Sequence, residues 1–333
     1  MAEFLGWKPS TTQYFGKGDD SLERLRKPWP ADAPWNLVET SYFGFAIPEH
    51  NIDCEIYFWA HPVLGVMSGG VFCFQGLKSA QMEADYLQYF NYMPIPDDIT
   101  DVTYPMGLRV KMIEPFRTFE VSYSDPANET FIEFRSTAIM PAAFRPVGGH
   151  FTQAMKNRGK LVLRGREYAI DSYFSRDRSW GDPRPETQLN VAPVGWHVGI
   201  FADNLAFHVI AFDGPDSGEG PGAGLQGGDA SNCIWGYVWR DGRLLGVRGC
   251  EKRTFRSGKI FPHRFELRIT DEEDQVHELI GTVGARYPFS IWPNSTIGYS
   301  FTHWTYKGRA GYGDSQEAYY NRFALDTMKQ AAE

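Results

Sequence analysis

The stretch Ile52-Asp53-Cys54-Glu55-Ile56-Tyr57-Phe58-Trp59-Ala60 alternates as a β-strand does. Ile56, Phe58 and Ala60 fall on one face, and Glu55, Tyr57 and Trp59 fall on the other. Aromatic bulk on both faces suits a barrel strand whose interior is lined and whose exterior is covered. Outward from it, strand-like pieces recur at residues 70–74, 108–114, 118–124 and 130–137, at the spacing of hairpins. Asp125-Pro126-Ala127-Asn128 is a turn between two of them, because proline fixes φ. Residues 81–92 read as the one helix of this half, ended by Pro94 and Pro96.

The second half repeats the style after strands at 160–164 and 167–170, broken by Gly165. Residues 196–201, 205–212, 233–239, 244–255, 264–269 and 276–285 all read as strands, and Asp241-Gly242 is a two-residue hairpin turn requiring φ > 0. Residues 315–332 read as a closing helix with Ser315 as a candidate N-cap. An irregular arm, with a short helix at 21–26 and breaks at Pro28, Pro30 and Pro34, precedes the first strands. The expected architecture is all-β. It comprises an arm over 1–35, a first lipocalin-like domain over 36–175, and a second over 176–333 carrying the carboxyl-terminal helix.

Composition narrows the function. The 333 residues carry 15% aromatics, 34 Gly and 21 Pro, and acidic and basic residues are interspersed at a net charge of −8. That balance argues against an extended nucleic-acid surface, which needs concentrated positive charge. No apolar run is long enough for a spanning helix. The start Met1-Ala2-Glu3-Phe4-Leu5-Gly6-Trp7-Lys8 lacks the basic-then-apolar order of a signal peptide, so a cytoplasmic location is expected. Cys54, Cys73, Cys233 and Cys250 form no Cys-x-x-Cys pair and read as buried free thiols. Gly222-x-Gly224-x-x-Gly227 has the spacing of a dinucleotide fingerprint, but a strand follows it where the pyrophosphate site would need a helix. No nucleophile elbow, zinc-protease helix or phosphate-binding loop is present, and no two histidines stand at metal-ligand spacing on one element. His197 and His208 could still meet across a hairpin. No metal, nucleotide or other cofactor is expected.

The densest chemistry lies around Trp180, where Arg176, Asp177, Arg178, Asp182, Arg184 and Glu186 crowd together. One reading is an ion-pair network in which guanidinium forks hold Asp177. The other puts Asp177 in a water-poor pocket beside an indole, where it could protonate an alkene or take a proton from carbon. His150 and Gln153 read first as hydrogen-bonded structural residues, Trp196 as barrel packing, Asp203 as part of a turn, and Asp53 and Glu55 as surface charges.

Three pieces in order carry a resemblance: Gly149-His150-Phe151-x-Gln153, Gly165-x-x-Tyr168, and Arg176-Asp177-Arg178-Ser179-Trp180-Gly181-x-x-Arg184. Together with Glu39-x-x-Tyr42-x-Gly44-Phe45 and Gly311-Tyr312-Gly313-x-x-x-Glu317, they resemble the carotenoid hydratase-like superfamily of double-lipocalin proteins. That group also holds kievitone hydratase-like enzymes and certain fungal Diels–Alderase-like cyclases. The resemblance covers roughly residues 36–325. It implies two barrels side by side, with a hydrophobic small-molecule cavity in or between them. Carotenoid hydratases have Asp-His-x-Trp-Gly at this place, and here Asp177 and Trp180 match while Arg178 stands where the histidine would be. An imidazole titrates near neutral pH and a guanidinium does not, so Asp177, His150 and His197 become the candidates for moving the proton.

The reading is a cofactor-independent enzyme acting on a hydrophobic, terpenoid or aromatic molecule by acid/base chemistry. Hydration or dehydration, lyase chemistry, isomerisation and cyclisation all fit. Arg176, Arg178, Trp180, Trp196 and Phe201 are the substrate-binding candidates. The alternative is a non-catalytic carrier or sensor of hydrophobic molecules. The expected partner is a small-molecule ligand rather than nucleic acid, and a homodimer is compatible with the sequence.

Overall fold

The computed structural model describes residues 14–184, 193–213, 233–256 and 260–330. The chain folds as two compact units: one comprises Gly16–Gln75 and Ala84–Pro185, and the other takes in Gly76–Glu83 and the described residues after Glu186. The Gly222-x-Gly224-x-x-Gly227 spacing lies outside the described residues.

The first unit is one antiparallel sheet of eleven strands. Its members are β1 (Leu37–Ile47), β2 (Ile52–His61), β3 (Val66–Gln75), β4 (Tyr86–Pro94), β5 (Asp101–Thr103) and β6 (Arg109–Glu114). They continue with β7 (Thr118–Asp125), β8 (Thr130–Ala138), β9 (Ala143–Phe144), β10 (Gly149–Leu163) and β11 (Arg166–Pro183). The order is β4-β3-β2-β1-β11-β10-β8-β7-β6-β5, with β9 paired to β10. The sheet curls about a single core in which Phe45 and Ile56 meet Val121, Phe134 and Leu161 from the other arm of the sheet. Its edge strands β4 and β5 do not pair, so backbone bonding does not close it. The opening stretch behaves as read: Ile56, Phe58 and Ala60 enter the core, and Glu55, Tyr57 and Trp59 on the other face are buried too.

The second unit holds β12 (Val194–Ala202), β13 (Leu205–Phe212), β14 (Cys233–Arg240), β15 (Arg243–Arg256), β16 (Pro262–Asp271), β17 (Val276–Trp292), β18 (Ser295–Tyr306) and β19 (Arg309–Tyr320). They form a closed barrel, with β19 returning to pair with β12. Asp241 and Gly242 both have positive φ, as the expected two-residue turn between β14 and β15 requires. All-β architecture therefore holds in both units.

Three expectations fail. Residues 81–92 are not a helix: a single 3-10 turn at Gln81–Glu83 precedes β4, whose aromatic run pairs along β3. Aromatic side chains favour a pleated surface, and tertiary pairing overrides weak helix propensity. The closing helix α1 spans only Asn321–Gln330, because Ser315, Glu317 and Tyr319 alternate as part of β19 and are buried. Asp53 and Glu55 are not surface charges, for both are fully buried on β2.

Candidate functional site

β11 sorts the central motif by strand alternation. Arg176, Arg178 and Trp180 lie opposite Gln153, Phe151 and Gly149 of β10, so they share the inner face of the sheet. Asp177 and Ser179 lie opposite Thr152 and His150 of β10 and opposite Tyr42 and Thr40 of β1, on the outer face. The structure therefore groups Asp177 with His150, and places the two arginines and Trp180 on the opposite side.

On the inner face the arginines do not hold Asp177. Arg176 forms a two-pronged pair with Glu23 of the amino-terminal arm, Nη1 donating to Oε1 at 2.9 Å and Nη2 to Oε2 at 2.5 Å. Its guanidinium lies 4.1 Å from the Phe119 ring centre and 5.0 Å from that of Phe151. Arg178 donates to Glu39 Oε2 at 3.1 Å and to the backbone carbonyls of Glu23 and Arg24 at 3.1 Å each. Burial lowers the Arg178 pKa, while Glu39 and Glu23 work against that shift. Gln153 donates to the carbonyls of Phe116 and Met140 at 2.7 and 2.8 Å, which fits its structural reading. Trp180 packs over Gly149, where a Cβ would stand 2.4 Å from the indole nitrogen. A cavity of about 20 Å³ remains among Glu23, Phe58, Tyr104, Phe119, Arg176 and Arg178, roughly the room of one water.

On the outer face Asp177 is half-buried. His150 lies beside it and bonds Thr152 Oγ1 at 3.0 Å. The β1–β2 register adds Tyr57 opposite Tyr42 and Trp59 opposite Thr40, and it sets Glu55 opposite Gly44 and Asp53 opposite Ala46. Tyr42 meets Tyr57 edge-on at 6.3 Å and Phe174 at 5.9 Å. Tyr89 of β4 is half-buried with its hydroxyl enclosed, and that burial pushes its pKa well above the ordinary tyrosine value. Carboxylate oxygens of Asp53 and Glu55 lie within 4.8 Å of one another. This face thus combines acids, phenols and an imidazole with aromatic walls.

The remaining candidates sit in the second unit. His197 points into the barrel, 4.5 Å from the Phe265 ring centre, and neither of its ring nitrogens has a hydrogen-bond partner among the described residues. Burial, then the Lys252 charge, drives its pKa well below 6.5, so the ring is neutral. Trp196, one residue before it, faces away from the interior and is half-buried. Phe201 lies inside, 5.8 Å from Phe207 and 5.9 Å from Tyr306.

The sequence did not announce the barrel's main polar feature. Lys252 lies 2.8 Å from Asp213 and 2.5 Å from Glu317, and Arg256 lies 2.7 and 3.0 Å from the same two acids, with every side chain at most 1% exposed. Thr254 donates to Asp213 at 2.6 Å, and the Tyr319 hydroxyl donates to Glu317. Burial opposes the charge on Lys252, but Asp213 and Glu317 outweigh it and raise the pKa. Two cations and two anions balance, which marks a structural cage. Gly195 makes room for it, since a Cβ there would stand 2.3 Å from His197 Nε2 and 2.8 Å from Lys252 Nζ. At another place in the barrel, Asp271 Oδ2 and the Tyr306 hydroxyl each bond one nitrogen of buried His277 at 2.9 Å. Period two on β15 is the available signal for Lys252 and Arg256. It is masked because Glu251 and Arg253 put charge on the other face as well.

The chain is thus all-β, with one curled open sheet, one closed barrel and an Asp-x-x-Trp-Gly motif on strand β11. The chain belongs to the family described as "Domain of unknown function (DUF7064)", whose model matches residues 19–321. Among solved structures it is similar to kievitone hydratase from Nectria haematococca, at 13% identity and a TM-score of 0.54 over 95% of this chain and 98% of that one. It is also similar to a candidate AttH from Nitrosomonas europaea, at 15% identity and a TM-score of 0.52 over 85% of this chain and 93% of that one. At these identities the likeness is one of fold, as the motif resemblance implied. Among curated proteins, no sequence matches the chain. No helix of the described residues is long and apolar enough to cross a membrane.

Proposed function

We propose that the protein is an enzyme that works on a hydrophobic, terpenoid or aromatic small molecule by acid/base chemistry, with the outer face of the first sheet as its working surface. Asp177 is the acid/base, and His150 on the adjoining strand β10 is the proton-handling group on the same face beside it. The observation that supports this reading is the setting of Asp177. It is the half-buried carboxylate opposite Tyr42 and Thr152 on a face that also carries His150, Tyr57, Trp59, Asp53 and Glu55. A carboxylic acid there can give a proton to an alkene carbon, and the aromatic walls shield the developing cation. Attack by water with return of its proton to the Asp177 carboxylate gives hydration, attack by an internal nucleophile gives cyclisation, and return of a proton from a neighbouring carbon to the carboxylate gives isomerisation. The fold shared with kievitone hydratase is compatible with the hydration branch. Arg176 and Arg178 face the other way and take no part in this step. His197, Trp196 and Phe201 belong to the second unit, where His197 is a neutral base candidate inside the barrel.

The test is a panel of terpenoid and prenylated aromatic alkenes incubated with the protein in heavy-oxygen water, read by mass spectrometry. Incorporation of one labelled oxygen, or conversion to an isomer of equal mass, is expected for at least one class. Tight binding of those compounds with no conversion would favour the carrier.

A further inference from the structure

The inner face of the first sheet carries one row of side chains in register across β1, β2, β3 and β4: Phe45, Cys54, Cys73 and Tyr86. Both thiols are 0% exposed, and Cys73 donates to the Cys54 sulfur at 2.7 Å. Non-bonded carbon atoms rest about 3.5–4.0 Å apart and sulfur is larger, so this separation lies nearer the roughly 2.0 Å of a disulfide than an ordinary contact. Packing alone would hold two thiols at contact distance, not inside it. The backbone keeps them there. β2 and β3 pair without a register shift from Ile52 opposite Gln75 to His61 opposite Val66. Directly opposed residues of antiparallel strands have Cα atoms about 4.5–5.5 Å apart, within the roughly 4.4–6.8 Å that a disulfide spans. Phe45 and Tyr86 close the row on either side, and the Tyr86 hydroxyl is fixed by donating to Asp125 at 2.7 Å.

We propose that Cys54 and Cys73 are a thiol–disulfide redox site, which closes across β2 and β3 in the folded protein when a small disulfide of the glutathione type is the oxidant. The Cys73 thiolate attacks one sulfur of the oxidant, whose S–S bond breaks; one glutathione thiolate leaves and a mixed disulfide forms. The Cys54 thiolate then attacks the Cys73 sulfur, releases the second glutathione and closes the Sγ–Sγ bond. The two cysteines give up two electrons and two protons, and the oxidant becomes two thiols. The order follows from access. Tyr86, opposite Cys73, begins the edge strand β4, and Asp85 N donates to the Cys73 carbonyl at 3.0 Å. Asp85, Tyr86 and Leu87 also line a cleft of about 410 Å³, together with Asn128, Glu129 and Arg164. Local opening of this strand end bares Cys73 before Cys54. The pair faces the core, away from Asp177, and stands or falls separately from the proposed reaction.

The experiment incubates the reduced, folded, full-length protein at rising ratios of oxidised to reduced glutathione. Free thiols are then blocked with iodoacetamide in urea and counted by mass spectrometry. The wild type has four cysteines and should pass from four blocked thiols to two, with the peptides of Cys54 and Cys73 linked. Dithiothreitol should restore all four. Cys54→Ser should stop at glutathione bound to Cys73, the step that the missing thiol cannot resolve. The disulfide should raise the melting temperature of the wild type, because two sulfurs already this close join without strain. Four blocked thiols at the most oxidising ratio, or a link from Cys54 or Cys73 to another cysteine, overturns the proposal. So does a link between Cys54 and Cys73 that forms only on refolding from urea, or one that lowers the melting temperature. If Cys54→Ser does not fold, the wild-type measurements decide.

Discussion

Replacing Lys252 by Met should cost the second unit a large part of its stability. Lys252 is 0% exposed and stands between Asp213 and Glu317 at 2.8 and 2.5 Å, so solvent does not screen the pairs. Methionine fills similar volume, so little of the loss is a cavity effect. What remains is two buried carboxylates facing the single charge of Arg256. Removing one partner of a buried pair costs about 3–5 kcal/mol. For a domain of this size each kcal/mol lowers the melting temperature by roughly 2–4 °C, so a fall of about 6–20 °C is expected. Calorimetry of the wild type, Lys252→Met, Glu317→Gln and the double variant gives the coupling. The double variant, which restores charge balance between Arg256 and Asp213, should be more stable than the sum of the single losses implies. A fall below about 2 °C for Lys252→Met, or strict additivity, would refute the cage as a coupled unit.

Two further outcomes follow from the packing and the titrating groups. His208 is neutral in the fold with a pKa of about 3, His197 lies well below 6.5, and both return to the ordinary value near 6.5 on unfolding. The unfolded chain then binds the extra protons, so stability falls as pH drops below 6.5, by about 1 kcal/mol per pH unit for each ring once the pH is well below that value. Urea midpoints that stay flat between about pH 7 and about pH 5 would contradict that assignment. Gly149→Ala should destabilise the first unit by about 1–3 kcal/mol, because the new methyl meets both the backbone oxygen and the ring of Trp180; a denaturant midpoint equal to that of the wild type would count against this packing.

Much of the fold was legible because period two is a direct imprint of the pleat. Residues 52–60 declared a strand with two covered faces, and Asp241-Gly242 declared its turn by backbone chemistry alone. Residues 81–92 were misread since a charged and aromatic run carries no intrinsic commitment, and pairing with β3 decided it. The motif around Trp180 was visible as a charge cluster, yet its partners were not. Glu23 lies 153 residues from Arg176, in a turn whose local sequence matches any solvated surface. For the same reason the ion cage was hidden: Lys252 and Glu317 are 65 residues apart, and nothing near either one marks burial. Asp53 and Glu55 read as solvated because an acid on the polar-looking face of a strand usually is. Alternation does tell which residues share a face, and that is how Asp177 parts from Arg176 and Arg178.

The most direct test of the acid/base reading is turnover per folded molecule for Asp177→Asn, using whichever alkene the heavy-oxygen screen identifies. The amide keeps the size and removes the transferable proton. A loss of about 10²–10⁴ in kcat is expected, with the melting temperature and substrate binding close to those of the wild type. Turnover within a few-fold of the wild type, or a collapse in stability that accounts for the whole loss, would show that Asp177 holds the sheet together and that the proton moves elsewhere.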